Sequence, residues 1–313
     1  MNYKILFRHE TLLFLILLCV GAVLAQQNDR FLTSANLLNQ TRLMTELGLI
    51  AVAMTFVIIT GGIDLSVGSI FGLSAILVGE LWKMGVPLPL AAVLAIAAGT
   101  LGGIANGIII TRFRVPPLIA TLATLALYRG LAEGISQAQS VRGYPAWFLS
   151  LGQGDFLGIP VQLWLLAVVV IIAIVILRAT PIGRAVYAIG NNEAAARYSG
   201  IEVDRIKLWI YAASGFLAST AAVVFVARVS TTRSDMGTGL ELDAITAVVL
   251  GGTSIFGGRG TIIGTLLGLM LIQVLKNGLS LSGVKGDGTV IVIGVVLIVA
   301  VVISNLVNRF SRD

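Results

Sequence analysis

Apolar runs of about 20 residues alternate with short polar stretches along this chain. A helix of that length crosses the hydrocarbon core of a bilayer, and the alternating pattern of membrane β-barrel strands is missing. The pattern predicts an all-α, polytopic membrane protein with about ten transmembrane helices in a single domain, residues 1–313. The predicted spans lie near residues 11–25, 43–60, 65–81, 90–111, 118–136, 161–179, 208–229, 240–250, 262–281 and 289–307.

The composition supports this fold class. Apolar residues make up 57% of the chain, charged residues 12%, and there are 36 glycines among 313 residues. Small residues let membrane helices approach closely, so we interpret the four glycines between Gly99 and Gly107 as a helix-packing surface. The net charge of +6 fits a positive-inside bias. No basic run with interleaved aromatic residues indicates a nucleic-acid partner.

The first apolar run, residues 11–25, allows two interpretations. It follows Lys4 and Arg8 and contains Val23-x-Ala25, so it also fits a cleaved signal peptide. We interpret it as a retained first span, because many further spans follow. The chain has one cysteine, Cys19, and one histidine, His9, which excludes an intrachain disulfide and most zinc-dependent or histidine-dependent chemistry.

The segment from residue 181 to residue 207 is polar although apolar runs flank it. A short helix is predicted over residues 193–197, with a turn at Gly190, a cap at Asn191 or Asn192 and a stop at Gly200. One interpretation is a solvated loop with a helical turn. The other is a polar helix that a soluble partner holds.

Asp64 and Asn106 are the candidate pathway or gate residues. Asp64 lies between two apolar runs, where an unpaired carboxylate would be costly, so it is a functional candidate. Alternatively, Asp64 or Ser66 caps the helix that follows. Asn106 could hydrogen-bond across helices or face a polar path. Arg129 and Glu133 are four positions apart, which permits pairing along a helix.

Four runs in order carry a resemblance to a known family. They are GGIDLSVGS from residue 61, NGIIITRFRVPPLIATLATLALYRG from 106, AIGNNEAAARYSGI from 188, and LELDAITAVVLGGTSIFGGRGTIIGTLLG from 240. These runs resemble the permeases of ATP-binding cassette (ABC) importers for monosaccharides. The resemblance implies a transport subunit, not an enzyme, with no catalytic residue, cofactor or metal. No Gly-x-x-x-x-Gly-Lys-Ser/Thr phosphate loop occurs in the chain.

The resemblance also implies partners and a location. Residues 181–207 would be a cytoplasmic coupling loop that docks a separate ABC ATPase subunit. A periplasmic or lipid-anchored sugar-binding protein would dock opposite, and a second permease, identical or different, would complete the pair in the lipid of the bacterial inner membrane. Both termini would be cytoplasmic. The implied coupling residues are Gly190, Asn191, Asn192, Ala194, Ala195, Ser199, Gly200 and Ile201.

The charges agree with this orientation, since about twelve of the 21 lysines and arginines fall on the side of the 181–207 segment. Within the family, residues 233–237 favour a rhamnose or autoinducer-2 substrate over ribose, although the sugar itself stays open. The alternative function is a secondary carrier or channel that needs no ATPase. Broken helices around Gly61-Gly62 and Gly251-Gly252 would suit such a protein.

Overall fold

The computed structural model describes residues 9–284 and positions 286, 288, 290–292, 294, 295 and 298. Helices dominate this part of the chain. They are α1 (His9–Gln27), α2 (Ser34–Ile59), α3 (Val67–Lys83), α4 (Leu88–Arg112), α5 (Pro117–Ser136), α6 (Ala146–Gln153), α7 (Val161–Ala179), α8 (Pro181–Asn191), α9 (Glu193–Tyr198), α10 (Val203–Val229), α11 (Leu240–Leu250) and α12 (Ile262–Leu281). A small hairpin precedes α7, in which β1 (Asp155–Phe156) pairs antiparallel with β2 (Ile159–Pro160).

Seven of these helices are long and apolar enough to cross a membrane, namely α1, α2, α4, α5, α7, α10 and α12. The all-α, multi-pass class is therefore confirmed, but the count of about ten is not. α3 has 17 residues and α11 has 11, and the predicted span near 289–307 lies largely outside the described residues. Retention of α1 as a span stays a prediction.

The chain that precedes α11 packs closely against α3. Residues 232–237 run beside α3, where Gly68 and Gly72 leave room for backbone. A Cβ atom at Gly68 would lie 2.5 Å from the Gly237 carbonyl oxygen, and one at Gly72 would lie 2.6 Å from that of Met236. This non-helical chain therefore packs against α3 before α11 begins. Irregular backbone is tolerated at membrane depth where protein surrounds it.

The centre of the bundle consists of α2 and α10, which are the most buried long helices. α10 packs on α2, α3 and above all α4. The contact with α4 is made by glycines: a Cβ atom at Gly103 would collide with the Tyr211 carbonyl oxygen, and one at Gly215 with that of Gly99. The predicted role of the α4 glycines in helix packing is confirmed, because only backbone without side chains can approach this closely.

Candidate functional site

The 181–207 segment folds as two helices rather than one. Thr180 caps α8 by accepting a hydrogen bond from the Gly183 amide at 3.2 Å, and Pro181 occupies the first helical position, where its missing N–H is harmless. α8 then continues to Asn191. The predicted turn at Gly190 is therefore wrong, because Gly190 lies inside α8.

The ends of α9 match the predicted signals. The Asn192 side chain caps the helix by accepting from the Ala195 amide at 3.0 Å. At the other end Gly200 takes the left-handed conformation, φ +82°, and the amide of Ile201 reaches the Ala196 carbonyl at 3.1 Å. This pattern is a Schellman motif. Asn191 does not cap α9, since its amide donates to the Tyr187 carbonyl.

α9 presents most of its surface outward. Ala196 is buried against Ile189 and Val203, so its side of this six-residue helix faces the protein. Apart from the half-buried Glu193, the other positions are exposed, including Tyr198 at 94%. The exposed candidate coupling residues are Asn191, Asn192, Ala194, Ala195, Ser199 and Gly200, whereas Gly190 and Ile201 are partly buried.

Ion pairs fasten α9 to the start of α10. Arg197 donates to Glu193 at 2.9 Å and to Asp204, and Lys207 donates to the other oxygen of Glu193 at 2.5 Å. Burial alone would raise the pKa of the Glu193 carboxyl, but the hydrogen bonds and charges of Lys207 and Arg197 together hold it below its ordinary value. The exposed helix is thus a small rigid projection.

Gly190 connects α8 to the end of α2. A Cβ atom at Gly190 would collide with the carbonyl oxygen of Ile59 and with the amide of Gly258. The Gly258 amide itself donates to that Ile59 carbonyl at 2.8 Å. Three backbone segments therefore meet here without an intervening side chain. The Tyr187 hydroxyl adds a bond to the Gly260 carbonyl at 2.7 Å.

Asp64 lies at the centre of a buried group of polar side chains, the Asp64 cluster (Asp64, Ser66, Asn106, Tyr211 and Ser214). One carboxylate oxygen accepts from the Ser66 amide at 3.0 Å and the Ser66 hydroxyl at 2.6 Å, and the other accepts from Ser214 at 2.8 Å. Asn106 donates to the Ser66 hydroxyl at 2.7 Å. The cluster therefore ties the α2–α3 turn to α4 and α10.

The cluster is closed to solvent, since Asp64, Asn106 and Ser214 are fully buried. Neither Asp64 nor Ser66 caps α3 through its side chain; Asp64 instead accepts from the amide two residues on. Within the described residues, Asn106 Oδ1 and the Tyr211 hydroxyl have no hydrogen-bond partner. The roles of Asp64 and Asn106 as pathway or gate residues stay a prediction.

Three members of this cluster do not stand out in the sequence as site residues. Ser66 is visible only as a candidate cap, and Tyr211 and Ser214 are isolated polar positions in an apolar run. Their spacing of three puts them on one face of α10, which is the signal that could have found them. Tyr198 is likewise recognisable only from its exposure on α9.

Arg129 donates hydrogen bonds to backbone carbonyls of the non-helical chain that packs against α3. Its guanidinium donates to the carbonyls of Ser234 at 2.6 Å, Met236 at 2.8 Å and Gly68 at 3.3 Å. The permitted pairing with Glu133 does not occur, since Glu133 is exposed and the arginine turns to the backbone carbonyls. A planar cation with several donors suits this task.

The comparisons with known proteins agree with a membrane permease. Residues 36–301 match the family described as branched-chain amino acid transport system / permease component. The ribose import permease protein RbsC of Bacillus subtilis is 44% identical, over 93% of this chain and 91% of its own length. RbsC of Escherichia coli K12 is 40% identical, over 92% and 91%. The autoinducer 2 import system permease protein LsrD of Escherichia coli O9:H4 is 38% identical, over 93% and 89%. No solved structure matches the chain.

The seven apolar helices and the family match together define a membrane transport subunit as the class of protein. The chain belongs to the branched-chain amino acid transport system / permease component family, among its ABC monosaccharide importer permeases. The expected preference for rhamnose or autoinducer-2 is not confirmed, because the ribose permeases match at higher identity.

Proposed function

We propose that this chain is the translocating subunit of an importer that takes up ribose through the bacterial inner membrane, driven by a separate ABC ATPase subunit. The sugar would arrive on a periplasmic or lipid-anchored binding protein, and a second permease would complete the pathway. The single observation that carries the proposal is the rigid, exposed α9 within the 181–207 segment, which we assign as the ATPase coupling loop. The substrate follows from the ribose permeases at 44% and 40% identity.

The orientation we propose places both termini in the cytoplasm. The imidazole of His9 lies 2.9 Å from the Leu250 carbonyl oxygen, and Gly258, eight positions after Leu250, packs against Gly190. The start of α1 is therefore at the same end of the bundle as α9. We also retain ten crossings for the whole chain, with α3 and α11 counted as short ones and residues 289–307 as the last.

The test begins with the complex of this chain and the ATPase subunit of the same importer, purified together. Ala195→Trp overfills the exposed face of α9, and Tyr198→Ala removes its most exposed side chain. We expect Ala195→Trp to lower ATPase association at least tenfold and Tyr198→Ala to weaken it. Met84→Trp is the matched control, since Met84 is 76% exposed at the opposite end of the bundle.

Uptake into proteoliposomes that contain the complex and the binding protein tests the substrate. Labelled ribose should accumulate only with ATP inside, and unlabelled ribose should compete better than rhamnose or autoinducer-2. Equal flux without ATP would favour the secondary carrier or channel. Stronger competition by unlabelled rhamnose than by unlabelled ribose would support the importer but reject ribose as its substrate.

A further inference from the structure

The point where α8 meets the bundle is an internal contact rather than part of the exposed surface. Gly190 is one of the coupling residues implied by the family resemblance, yet it lies inside α8 and packs against the carbonyl of Ile59 and the amide of Gly258. Its neighbours are backbone atoms, which cannot rotate aside as side chains can. A displacement of α8 must therefore move the end of α2 with it.

The end of α2 leads directly to the Asp64 cluster. Gly61 takes φ +79°, its amide reaches the Ile58 carbonyl at 2.9 Å, and the Gly62 amide reaches that of Val57 at 3.0 Å. This Schellman motif makes the turn a fixed extension of the helix. Only five positions separate Ile59 from Asp64, and a Cβ atom at Gly62 would lie 2.6 Å from the Tyr211 hydroxyl.

A second route connects α9 with the Asp64 cluster. α9 continues through residues 199–202 into α10, and the ion pairs of Arg197 and Lys207 with Glu193 stiffen that connection. Further along α10, Ser214 donates to Asp64. α9 is thus connected to the Asp64 carboxylate through α8 and α2 on one side and through α10 on the other.

We propose that Gly190, packed between Ile59 and Gly258, is a positioning residue that transmits displacement of α9 to the Asp64 cluster during transport. The proposal rests on the proposed docking of an ATPase at α9, and it assigns Gly190 to transmission rather than to docking. The two roles separate experimentally, because one concerns association and the other concerns turnover of the assembled complex.

The experiment compares Gly190→Ala with Gly130→Ala in the full complex. A methyl group at Gly190 forces α8 away from α2, whereas a Cβ atom at Gly130 meets nothing within 4 Å on α5. We expect Gly190→Ala to change ATPase association less than twofold. In the assembled complex, it should lower the stimulation of ATP hydrolysis by the sugar-loaded binding protein at least tenfold. Sugar uptake should fall by the same factor. Gly130→Ala should behave as wild type.

Tyr187→Phe provides a second, milder variant should Gly190→Ala fail to assemble. It removes only the bond to the Gly260 carbonyl, so the same loss of stimulation is expected at a smaller magnitude, about threefold. A merely structural role would reduce the amount of complex while leaving the stimulation ratio unchanged. The proposal is overturned if the Gly190→Ala complex assembles and shows wild-type stimulation of ATP hydrolysis. An unchanged stimulation ratio in Tyr187→Phe overturns it as well. Failure of the wild-type chain to bind the ATPase rejects the proposed function itself.

Discussion

The Ser214 hydroxyl donates to the Asp64 carboxylate over 2.8 Å, although the two residues are 150 positions apart in the chain. This bond joins the turn after α2 to the middle of α10. Ser66 joins the same carboxylate to Asn106 of α4. Three elements of the bundle therefore depend on one carboxylate that solvent does not reach.

Replacing Asp64 should destabilise the bundle. Asp64→Ala removes the acceptor of three buried hydrogen bonds and leaves the hydroxyl of Ser214 without its partner, a loss of roughly 3 kcal/mol. We expect a clear fall in the thermal midpoint of the detergent-solubilised protein. Asp64→Asn keeps the shape and should lose less. Asp235→Ala is the control, because Asp235 is exposed and its carboxylate pairs with nearby Arg233. Equal midpoints for all three variants would contradict this assignment.

Arg129 should matter more than its neighbour Glu133. Arg129→Gln leaves the carbonyls of Ser234 and Met236 without their charged donor inside the bundle, where unsatisfied backbone groups are expensive. We expect residues 230–239 to become sensitive to an added protease and the thermal midpoint to fall. Glu133→Gln, four positions along the same helix and exposed, should change neither. A protease pattern for Arg129→Gln that matches wild type would show that other groups hold this chain.

Local signals in the sequence predict the local structure well. Asn192 caps α9 and Gly200 ends it because both act within a few residues, and the α4 glycines pack against α10 because few other roles are open to glycine in a membrane helix. Gly190 shows where this reasoning fails. Gly190 packs against Ile59, 131 positions earlier in the chain. Glycine occurs both in turns and where two helices approach closely, so the sequence alone does not distinguish these two roles.

The same limit applies to Arg129 and to the number of spans. Spacing suggests a partner four positions away, but the guanidinium reaches carbonyls more than 100 positions later. The polar residues 230–239 look like an ordinary connection outside the membrane, because nothing local indicates that they fill a groove along α3. Features that depend on two distant parts of the chain therefore appear only in the structure.

Gly200 should be sensitive to substitution for a conformational reason alone. A Cβ atom there would meet nothing within 4 Å, but φ is +82°, a region that costs an L-residue about 1 kcal/mol. Gly200→Ala should speed hydrogen exchange of the Gly200–Ile201 amides about fivefold, the factor equivalent to that free energy, and Gly200→Asn should do so less. Gly130→Ala, in an ordinary helix with open space, should leave exchange unchanged. Equal exchange in Gly200→Ala and wild type would exclude the Schellman motif.

Acid should loosen α9 through Glu193. The pKa of this carboxyl in the folded protein lies below its ordinary value of 4.5. The carboxyl therefore binds a proton more tightly when α9 is locally unfolded than when it is folded. The stabilisation by Arg197 and Lys207 is therefore complete above pH 4.5 and is lost as the pH falls through the lowered pKa.

Hydrogen exchange of α9 in wild type and Glu193→Gln, compared at each pH, measures this effect, because the intrinsic exchange rate cancels in the ratio. Glu193→Gln should exchange faster at pH 7, and the ratio should fall towards one as the pH drops below 4.5 through the lowered pKa. Glu202→Gln is the matched control: its partner Arg205 is 3.0 Å away but both side chains are largely exposed, and such surface pairs contribute little, so its ratio should stay near one throughout. A Glu193→Gln ratio that is constant from pH 7 to pH 3 would mean that the ion pairs do not hold α9 in place.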